Sequence, residues 1–277
     1  MSIETADFEY ICKVVRESSA IVLEKGKEYL VEARLYPVVK ELGLDSLPKL
    51  VDAVKKGDSA ARTRVVEALT TNETSFFRDI EPFDFLKKEI IPEVMKKRAA
   101  SRQLTIWCAA SSTGQEPYSI AMMLRENFPE LVSWKVKIVA TDINKEVLEK
   151  AKKGVFSQLE VNRGLPVAYL VKYFEKKGPE FVLKDDIRSM VQYLEMNLAR
   201  PFTAIVGDVD VVLIRNVLIY FDAETKKSIL GKIRGVMKSD GFLFLGAAET
   251  TINLDENFVR RSAGRASCYH LKGSSPG

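Results

Sequence analysis

Leu104-Thr105-Ile106-Trp107-Cys108-Ala109-Ala110-Ser111-Ser112-Thr113-Gly114-Gln115-Glu116-Pro117-Tyr118-Ser119 is the stretch whose reading decides the fold. β-Favouring residues run from Leu104 to Cys108 and stop at small residues with one glycine. The chain then restarts as a helix around Pro117. This pattern predicts a strand, a tight turn, and a helix whose unpaired N–H groups face the turn. Such a turn lets a ligand approach the backbone at a partly positive helix end. A second predicted strand, Val136 to Thr141, ends in Asp142. A carboxylate at that tip can accept hydrogen bonds from two ribose hydroxyls. The stretch therefore describes a nucleoside-binding α/β domain.

Working outward, the residues from about 100 onward alternate between strand and helix patterns. Strands are expected at Val191–Leu194, Val209–Ile214, Phe242–Leu245 and Ser267–Leu271, with helices over Glu116–Asn127, Lys145–Lys153 and Ala223–Lys238. Alternation of this kind predicts a mostly parallel, doubly wound Rossmann-like sheet covered on both faces, its strand tips lined along one ligand edge. Residues 155–190 fit the alternation badly. They are expected to form a small inserted antiparallel β element, with Phe181-Val182-Leu183, Lys184-Asp185-Asp186 and Ile187 onward as a hairpin.

The first part of the chain reads differently. Phe8, Ile11, Cys12 and Val15 recur at helical spacing, as do Leu35, Val38, Val39 and Leu42, then Leu47, Leu50, Val51 and Val54. A fourth helix starts near Asp58-Ser59 and carries Val65, Val66 and Leu69. Four one-striped helices predict a small all-α bundle. The expected organisation is a helical domain over 1–69, a linker and helix over 70–99 that contribute to the active site, a ligand-binding domain over 100–271, and a flexible tail over 272–277.

Composition removes several functions. The chain has 277 residues, 46% hydrophobic and 29% charged, with a net charge of +4. That balance is not a nucleic-acid footprint, and no apolar run approaches the ~20 residues that span a bilayer. The polar start Met1-Ser2-Ile3-Glu4-Thr5-Ala6-Asp7 is not expected to be a signal peptide. Cys12, Cys108 and Cys268 offer no disulfide framework or zinc spacing, which suits a cytoplasmic location. The single histidine, His270, has no GxSxG elbow to serve, and metal ligands are as scarce. Between Glu24 and Glu67 there are nine Lys/Arg and eight Asp/Glu, most of which read as solvated faces. A monomer without membrane insertion or nucleic-acid partner is expected.

The first turn also selects the ligand. A pyrophosphate calls for G-x-G-x-x-G, and a triphosphate for GxxxxGK[ST]; here one glycine stands in Ser-Ser-Thr-Gly-Gln-Glu. S-adenosylmethionine has an adenosine, no phosphate, and an ammonium that Glu116 is placed to meet. The residues thus favour a methyltransferase over a dehydrogenase.

Five segments resemble the chemotaxis receptor methyltransferases of the CheR type. They are Leu69-Thr70-Thr71-Asn72-Glu73-Thr74-Ser75-Phe76-Phe77-Arg78, Ala110 to Ser119, Ala140-Thr141-Asp142-Ile143, Ile214-Arg215-Asn216-Val217-Leu218-Ile219-Tyr220-Phe221 and, more loosely, Lys238 to Gly246. The resemblance runs from the helical region to His270, and the first segment is its most specific part. It implies S-adenosylmethionine as cofactor, S-adenosylhomocysteine as product, and methyl transfer to glutamate carboxylates on the cytoplasmic helices of chemoreceptors. Alternatives are an inactive S-adenosylmethionine-binding regulatory module and a different small carboxyl methyltransferase.

Residue by residue, the resemblance implies that Asn72, Thr74 and Arg78 reach the cofactor and active site, although Asn72 and Thr74 also suit a cap before Pro82. Glu116, Asp142, Asn197, Leu198, Arg215 and Asn216 are implied as cofactor contacts, with Asn197-Leu198 at the adenine. Arg78 and Tyr220 are the implied catalytic pair on the acceptor side, while Phe76 and Phe77 read as core. Two positions depart from the family pattern: Gln115 stands where Gly-Glu-Glu-Pro has its first acid, and Gly246-Ala247-Ala248-Glu249 replaces the more usual Gly-His-Ser-Glu. Some members hold a receptor's C-terminal peptide on the β element through a glycine-rich loop. Glu175-Lys176-Lys177-Gly178-Pro179-Glu180 is short for that, so this chain is expected to work without such a tether.

Overall fold

The structure, a computed structural model, describes residues 3–202 and 207–273. The tail expected beyond Gly273 lies outside the described residues. The chain packs as two units, one of Met1–Thr71 with Tyr220–Lys226 and one of Asn72–Ile219 with Lys227–Gly277.

The first unit holds α1 (Thr5–Ser19), α2 (Glu28–Glu41), α3 (Leu47–Lys55) and α4 (Ser59–Leu69). Ile11, Val15, Val31, Leu35, Leu50, Val51 and Val65 are wholly buried and form its seam. Cys12 was expected in that seam, but it is half-buried; Val14 is buried instead, so the stripe of α1 is turned toward its Val14 edge. Asp58 caps α4 by accepting the Ala60 and Ala61 N–H groups. Arg34 donates to the Leu69 and Thr70 carbonyls at 3.1 and 3.0 Å, which satisfies the end of α4.

In the second unit, Asn72–Ile80 forms irregular backbone ahead of α5 (Glu81–Phe85) and, past a single π-helical turn at Leu86–Ile90, α6 (Ile91–Lys97). Then come β1 (Gln103–Ala109), α7 (Gln115–Asn127), β2 (Lys135–Asp142) and α8 (Lys145–Lys153). The insertion is β3 (Val155–Ser157), α9 (Gln158–Asn162), α10 (Val167–Tyr173), β4 (Phe174–Lys177), β5 (Glu180–Leu183) and α11 (Asp185–Arg188). The chain closes with β6 (Val191–Glu195), β7 (Val209–Ile214), α12 (Ala223–Val236), β8 (Met237–Leu245), β9 (Phe258–Ala263) and β10 (Ala266–Leu271).

The main sheet has the order β6-β2-β1-β7-β8-β10-β9. Its first five strands are parallel, and β10 runs antiparallel to both β8 and β9. It is the expected doubly wound sheet, and the chain also has the expected all-α N-terminal domain. From β1 the chain builds outward through β2 to β6, then returns to β7 on the other side of β1. The β1/β7 boundary is thus the topological switch point, where parallel sheets open a crevice at their strand tips. The cores of these strands are near-continuous apolar runs, as burial on both faces demands.

Three expectations are corrected. The β9 strand was not anticipated, because Phe-Val-Arg-Arg-Ser-Ala is an edge strand with a polar, exposed sequence. The expected helix over Ala223–Lys238 stops at Val236, where β8 takes over at Met237. The hairpin of the insertion turns at Gly178-Pro179, not at Lys184–Asp186. Gly178 has φ 61°, which a tight hairpin turn needs at its first central residue, whereas Asp185 and Asp186 favour the positive end of a helix and start α11. The insertion is therefore a three-stranded antiparallel sheet, β3-β5-β4, with short helices of its own.

Candidate functional site

The small residues after β1 turn sharply because two of them take a left-handed backbone: Ala110 has φ 58° and Ser112 φ 50°, before Gly114 at φ 95°. Side chains other than glycine rarely adopt this region, and such strain gathers where the surrounding structure holds a working geometry. Gly114 tolerates nothing larger, since a Cβ there would lie 2.6 Å from the Tyr193 hydroxyl. The Ser112 N–H donates to Asp142 Oδ2 at 2.8 Å, and the Asn144 N–H to Asp142 Oδ1 at 3.0 Å. Asp142 thus joins the tips of β1 and β2, and the Met196 N–H donating to the Asp142 carbonyl adds the tip of β6. Burial pushes the Asp142 carboxyl above its ordinary pKa, against the pull of these backbone donors. Asn197 and Leu198 follow directly, on the same edge; the Asn197 side chain accepts the Ala199 N–H, and Leu198 is buried.

The Asn72–Ile80 segment is tied into this edge. Ser112 Oγ donates to the Asn72 carbonyl at 2.7 Å, and the Phe77 N–H donates to Ser119 Oγ at 3.0 Å. Phe77, Asp79 and Ile80 also have positive φ, a second knot of left-handed backbone. The insertion braces the segment from below: Phe76 packs edge-on against Phe156 and Phe174, and Phe77 stacks on Tyr169 at 5.2 Å. Gly164 passes so close to the Phe76 carbonyl that a Cβ there would collide with it. Phe76 and Phe77 are thus core, and the insertion supports the segment that carries Arg78. Thr74 lies half-buried within the segment.

Beyond β7, Arg215 is buried and makes three directed bonds: to Glu116 Oε2 at 2.8 Å, to Asp79 Oδ2 at 2.7 Å and to the Arg78 carbonyl at 2.9 Å. Arg215, a cofactor contact by the resemblance, forms a bracket between α7 and the Arg78 turn. The Glu116 carboxylate is only 13% exposed. Desolvation pushes its pKa up, and Arg215 draws it partly back. Cys108, next to this cluster electrostatically, is held protonated by burial and by the charge of Glu116, so it is no nucleophile. The guanidinium of Arg78 donates once, from Nη1 to the Glu73 carbonyl at 3.1 Å, at an exposed position. Asn216, at φ 57°, receives its backbone restraint from Glu249, whose carboxylate accepts the Asn216 N–H at 2.9 Å.

The structure brings Asn72, Glu116, Asp142, Asn197, Leu198, Arg215 and Asn216 to one strand-tip edge together with the Arg78 turn. Tyr220 belongs by packing to the helical unit, where its carbonyl accepts the Val22 N–H at 2.9 Å. Asp79, Ser112, Ser119 and Glu249 make contacts at this edge that the sequence reading did not assign to them. Asp79 follows Arg78 directly, yet its partner Arg215 is 136 residues away. No local signal marks that pairing.

The chain is similar to known proteins along nearly its whole length. The family described as the CheR methyltransferase SAM-binding domain matches residues 72–266, and the CheR methyltransferase all-alpha domain matches residues 6–70. The chain is 42% identical to chemotaxis protein methyltransferase 1 of Pseudomonas aeruginosa, over 98% of this chain and 100% of that protein. It is 39% identical to the chemotaxis protein methyltransferase Cher2 of Pseudomonas putida, with the same coverage. Against the chemotaxis protein methyltransferase of Salmonella typhimurium it is 32% identical, over 94% of this chain and 89% of that protein.

Proposed function

The chain belongs to the CheR family of chemotaxis methyltransferases, and on that premise we propose that it methylates glutamate side chains of chemoreceptors, leaving methyl esters. The observation that carries this reading is the Arg215 bracket, which couples Glu116 on the cofactor helix to the Arg78 turn in one rigid piece. Its cofactor is S-adenosylmethionine, and the residues present fit that ligand. Ser111 Oγ is buried with no hydrogen-bond partner among the described residues. The turn leaves Gly114 no room for a Cβ. Acids stand where a ribose and an ammonium would be met, at Asp142 and Glu116, and no phosphate-binding glycine pattern accompanies them.

When bound, S-adenosylmethionine supplies a methyl group on a sulfonium, already electrophilic. An acceptor glutamate is ionised at neutral pH, with a reference pKa of about 4.3, so this chain is not required to supply a base. Its one histidine, His270, lies in the β8–β10 ladder opposite Phe242. The task left to the residues is orientation. Asp142 would hold the ribose, Glu116 the ammonium, and Asn197-Leu198 the adenine side. Arg78 would steer the acceptor carboxylate through one oxygen by a charge-assisted bond. A tighter pair would quench the nucleophile. A dry site favours the step because opposite charges are neutralised in it. The role of Tyr220 on the acceptor side rests on the resemblance alone.

The direct test is incubation with tritiated S-adenosylmethionine and receptor-containing membranes, followed by alkaline release of labelled methanol. Release would support the reading. Cofactor binding with no release from any receptor would leave a regulatory S-adenosylmethionine-binding protein.

A pH dependence follows from Glu116. Burial raises its pKa in the free protein, and a ligand ammonium beside it would pull the pKa down. Between the two values, binding expels a proton, so affinity climbs with pH and levels off above the raised value. Calorimetry of S-adenosylhomocysteine in buffers of different ionisation enthalpy should show proton release on the acid side. Glu116→Gln should weaken binding and remove that release. A Glu116→Gln protein that still releases the proton would take Glu116 out of the ligand's reach.

Receptor docking is proposed to run through the helical unit and without a C-terminal peptide tether. On α2, Tyr29 is 66% and Tyr36 40% exposed, seven residues apart and so on one face. A tethered peptide would add a strand to the insertion, whose edge strand β4 has four residues and whose loop is Gly178-Pro179. Pro179 donates no N–H, and Lys176 and Lys177 crowd the turn. A receptor C-terminal pentapeptide is therefore expected to bind more weakly than about 1 mM, where binding free energy is near 4 kcal/mol. Micromolar binding that is lost on changing residues 175–190 would show a working tether. No helix among the described residues is long and apolar enough to cross a membrane; a cytoplasmic location is part of the same proposal.

A further inference from the structure

Glu249 lies on the loop after β8, three residues beyond Gly246. Its Oε2 accepts the N–H groups of Asn216 at 2.9 Å and Gly246 at 2.7 Å; its Oε1 accepts those of Val217 at 2.9 Å and Leu218 at 2.7 Å. An ionised carboxylate offers roughly four acceptor positions, and here each oxygen carries two close donors, with the Ile219 N–H a longer third on Oε1 at 3.4 Å. The turn closes on itself, because the Glu249 N–H returns to the Gly246 carbonyl at 3.0 Å. Gly246 has no room for a side chain: a Cβ would lie 2.7 Å from Asn216 N and 2.8 Å from Glu249 Oε2. Ala247 and Ala248, between the two, are exposed and take no part in these bonds. Four successive amides, 216 to 219, therefore converge on one carboxylate, the first three closely, and Asn216 is kept in the left-handed region at φ 57°. This loop follows β7, one of the two strands that flank the switch point.

We propose that Glu249 is a positioning residue for methyl transfer: its carboxylate clamps the Asn216–Leu218 backbone so that Asn216 meets the cofactor in a preset geometry. The proposal rests on the function proposed above. Without the carboxylate, four neighbouring N–H groups point at one another with no acceptor, and the loop relaxes away from that geometry. Ordering it again on binding then weakens affinity. Glutamine is a poor replacement, since its NH2 group brings donors to a place that needs acceptors. The Ala247-Ala248 departure from the family pattern is neutral for the clamp, because only positions 246 and 249 take part in it.

The experiment measures four quantities on the full chain: S-adenosylhomocysteine Kd by calorimetry, kcat and KM for S-adenosylmethionine, thermal midpoint, and amide exchange at residues 216–218. Glu249→Gln is expected to raise Kd and KM roughly tenfold or more, the scale of hydrogen bonds to a charged group. Exchange at 216–218 should accelerate, and kcat should fall less than KM rises. Glu249→Asp, which keeps the charge on a shorter stem, should lie between; it also serves if Glu249→Gln does not fold. Asn216→Gly adopts positive φ freely, and the double variant Asn216→Gly/Glu249→Gln should lose no more affinity than the worse single one. The pair Ala247→His/Ala248→Ser should change neither Kd nor exchange. A folded Glu249→Gln protein with wild-type Kd and KM would overturn the proposal, as would additive losses in the double variant. A wild-type chain that binds no S-adenosylhomocysteine would instead overturn the functional reading beneath it.

Discussion

Arg78→Ala is expected to lower kcat by about a hundredfold or more, the scale of a lost charge-stabilising donor, while S-adenosylhomocysteine affinity changes by a factor of ~3 or less, under 1 kcal/mol. The structure separates the two effects. What ties residue 78 into the cofactor edge is its carbonyl, which accepts from Arg215 at 2.9 Å. That bond survives any side-chain change. The guanidinium itself makes one exposed bond, to the Glu73 carbonyl, and its other donors are left for an incoming carboxylate. Arg78→Lys keeps the charge but not the fork, so it should restore activity only in part. Single-turnover rates beside calorimetry decide the matter. Equal losses in rate and affinity would make Arg78 a cofactor ligand, and an unchanged kcat would remove it from the chemistry.

Asp142→Ala should weaken S-adenosylhomocysteine binding by about 1.5–3 kcal/mol, the usual range for hydrogen bonds to a charged group. The structure puts the result toward the upper end. The same carboxylate that would meet the ribose also holds the Ser112 and Asn144 N–H groups, so its removal loosens the turn as well as deleting the contact. Asp142→Asn keeps one oxygen and should fall between wild type and alanine. Burial holds the Asp142 pKa above its ordinary value, and the ionised form is the one that accepts from hydroxyls at both oxygens. Its contribution to binding therefore fades as pH drops through that raised value. Wild-type affinity in the alanine variant would take Asp142 out of the site.

Much of this protein is legible without coordinates. The four helices show in apolar spacing, as at Leu47, Leu50, Val51 and Val54, all of them buried. The parallel strands show as short apolar runs, and the Val209–Ile214 strand keeps the limits its sequence suggests. The lone glycine of Ser111–Gly114 points to a nucleoside without a pyrophosphate. These signals are local: periodicity, propensity and turn chemistry act over a few residues, and the backbone answers them wherever the chain goes. Signals that compete locally mislead. Lys184-Asp185-Asp186 has the composition of a turn, but Gly178 supplies the positive φ that the hairpin needs.

Tertiary structure alone decided the partners. Glu116 reads as a free carboxylate awaiting an ammonium; in the fold it is paired with Arg215, 99 residues away, and its pKa is raised by burial. Arg215 reads as a cofactor contact, and the fold bonds its guanidinium to Asp79 and the Arg78 carbonyl, which no nearby residue announces. Glu249 reads as the remnant of a varied motif and turns out to gather the amides of a loop some thirty residues earlier, among them Leu218, at a separation of 31. Ion pairs and carboxylate clamps depend on which strand tips the sheet order places side by side, and on how much water is left between them. Neither quantity is written in any short stretch of residues, because both arise only when distant segments share one edge of the sheet.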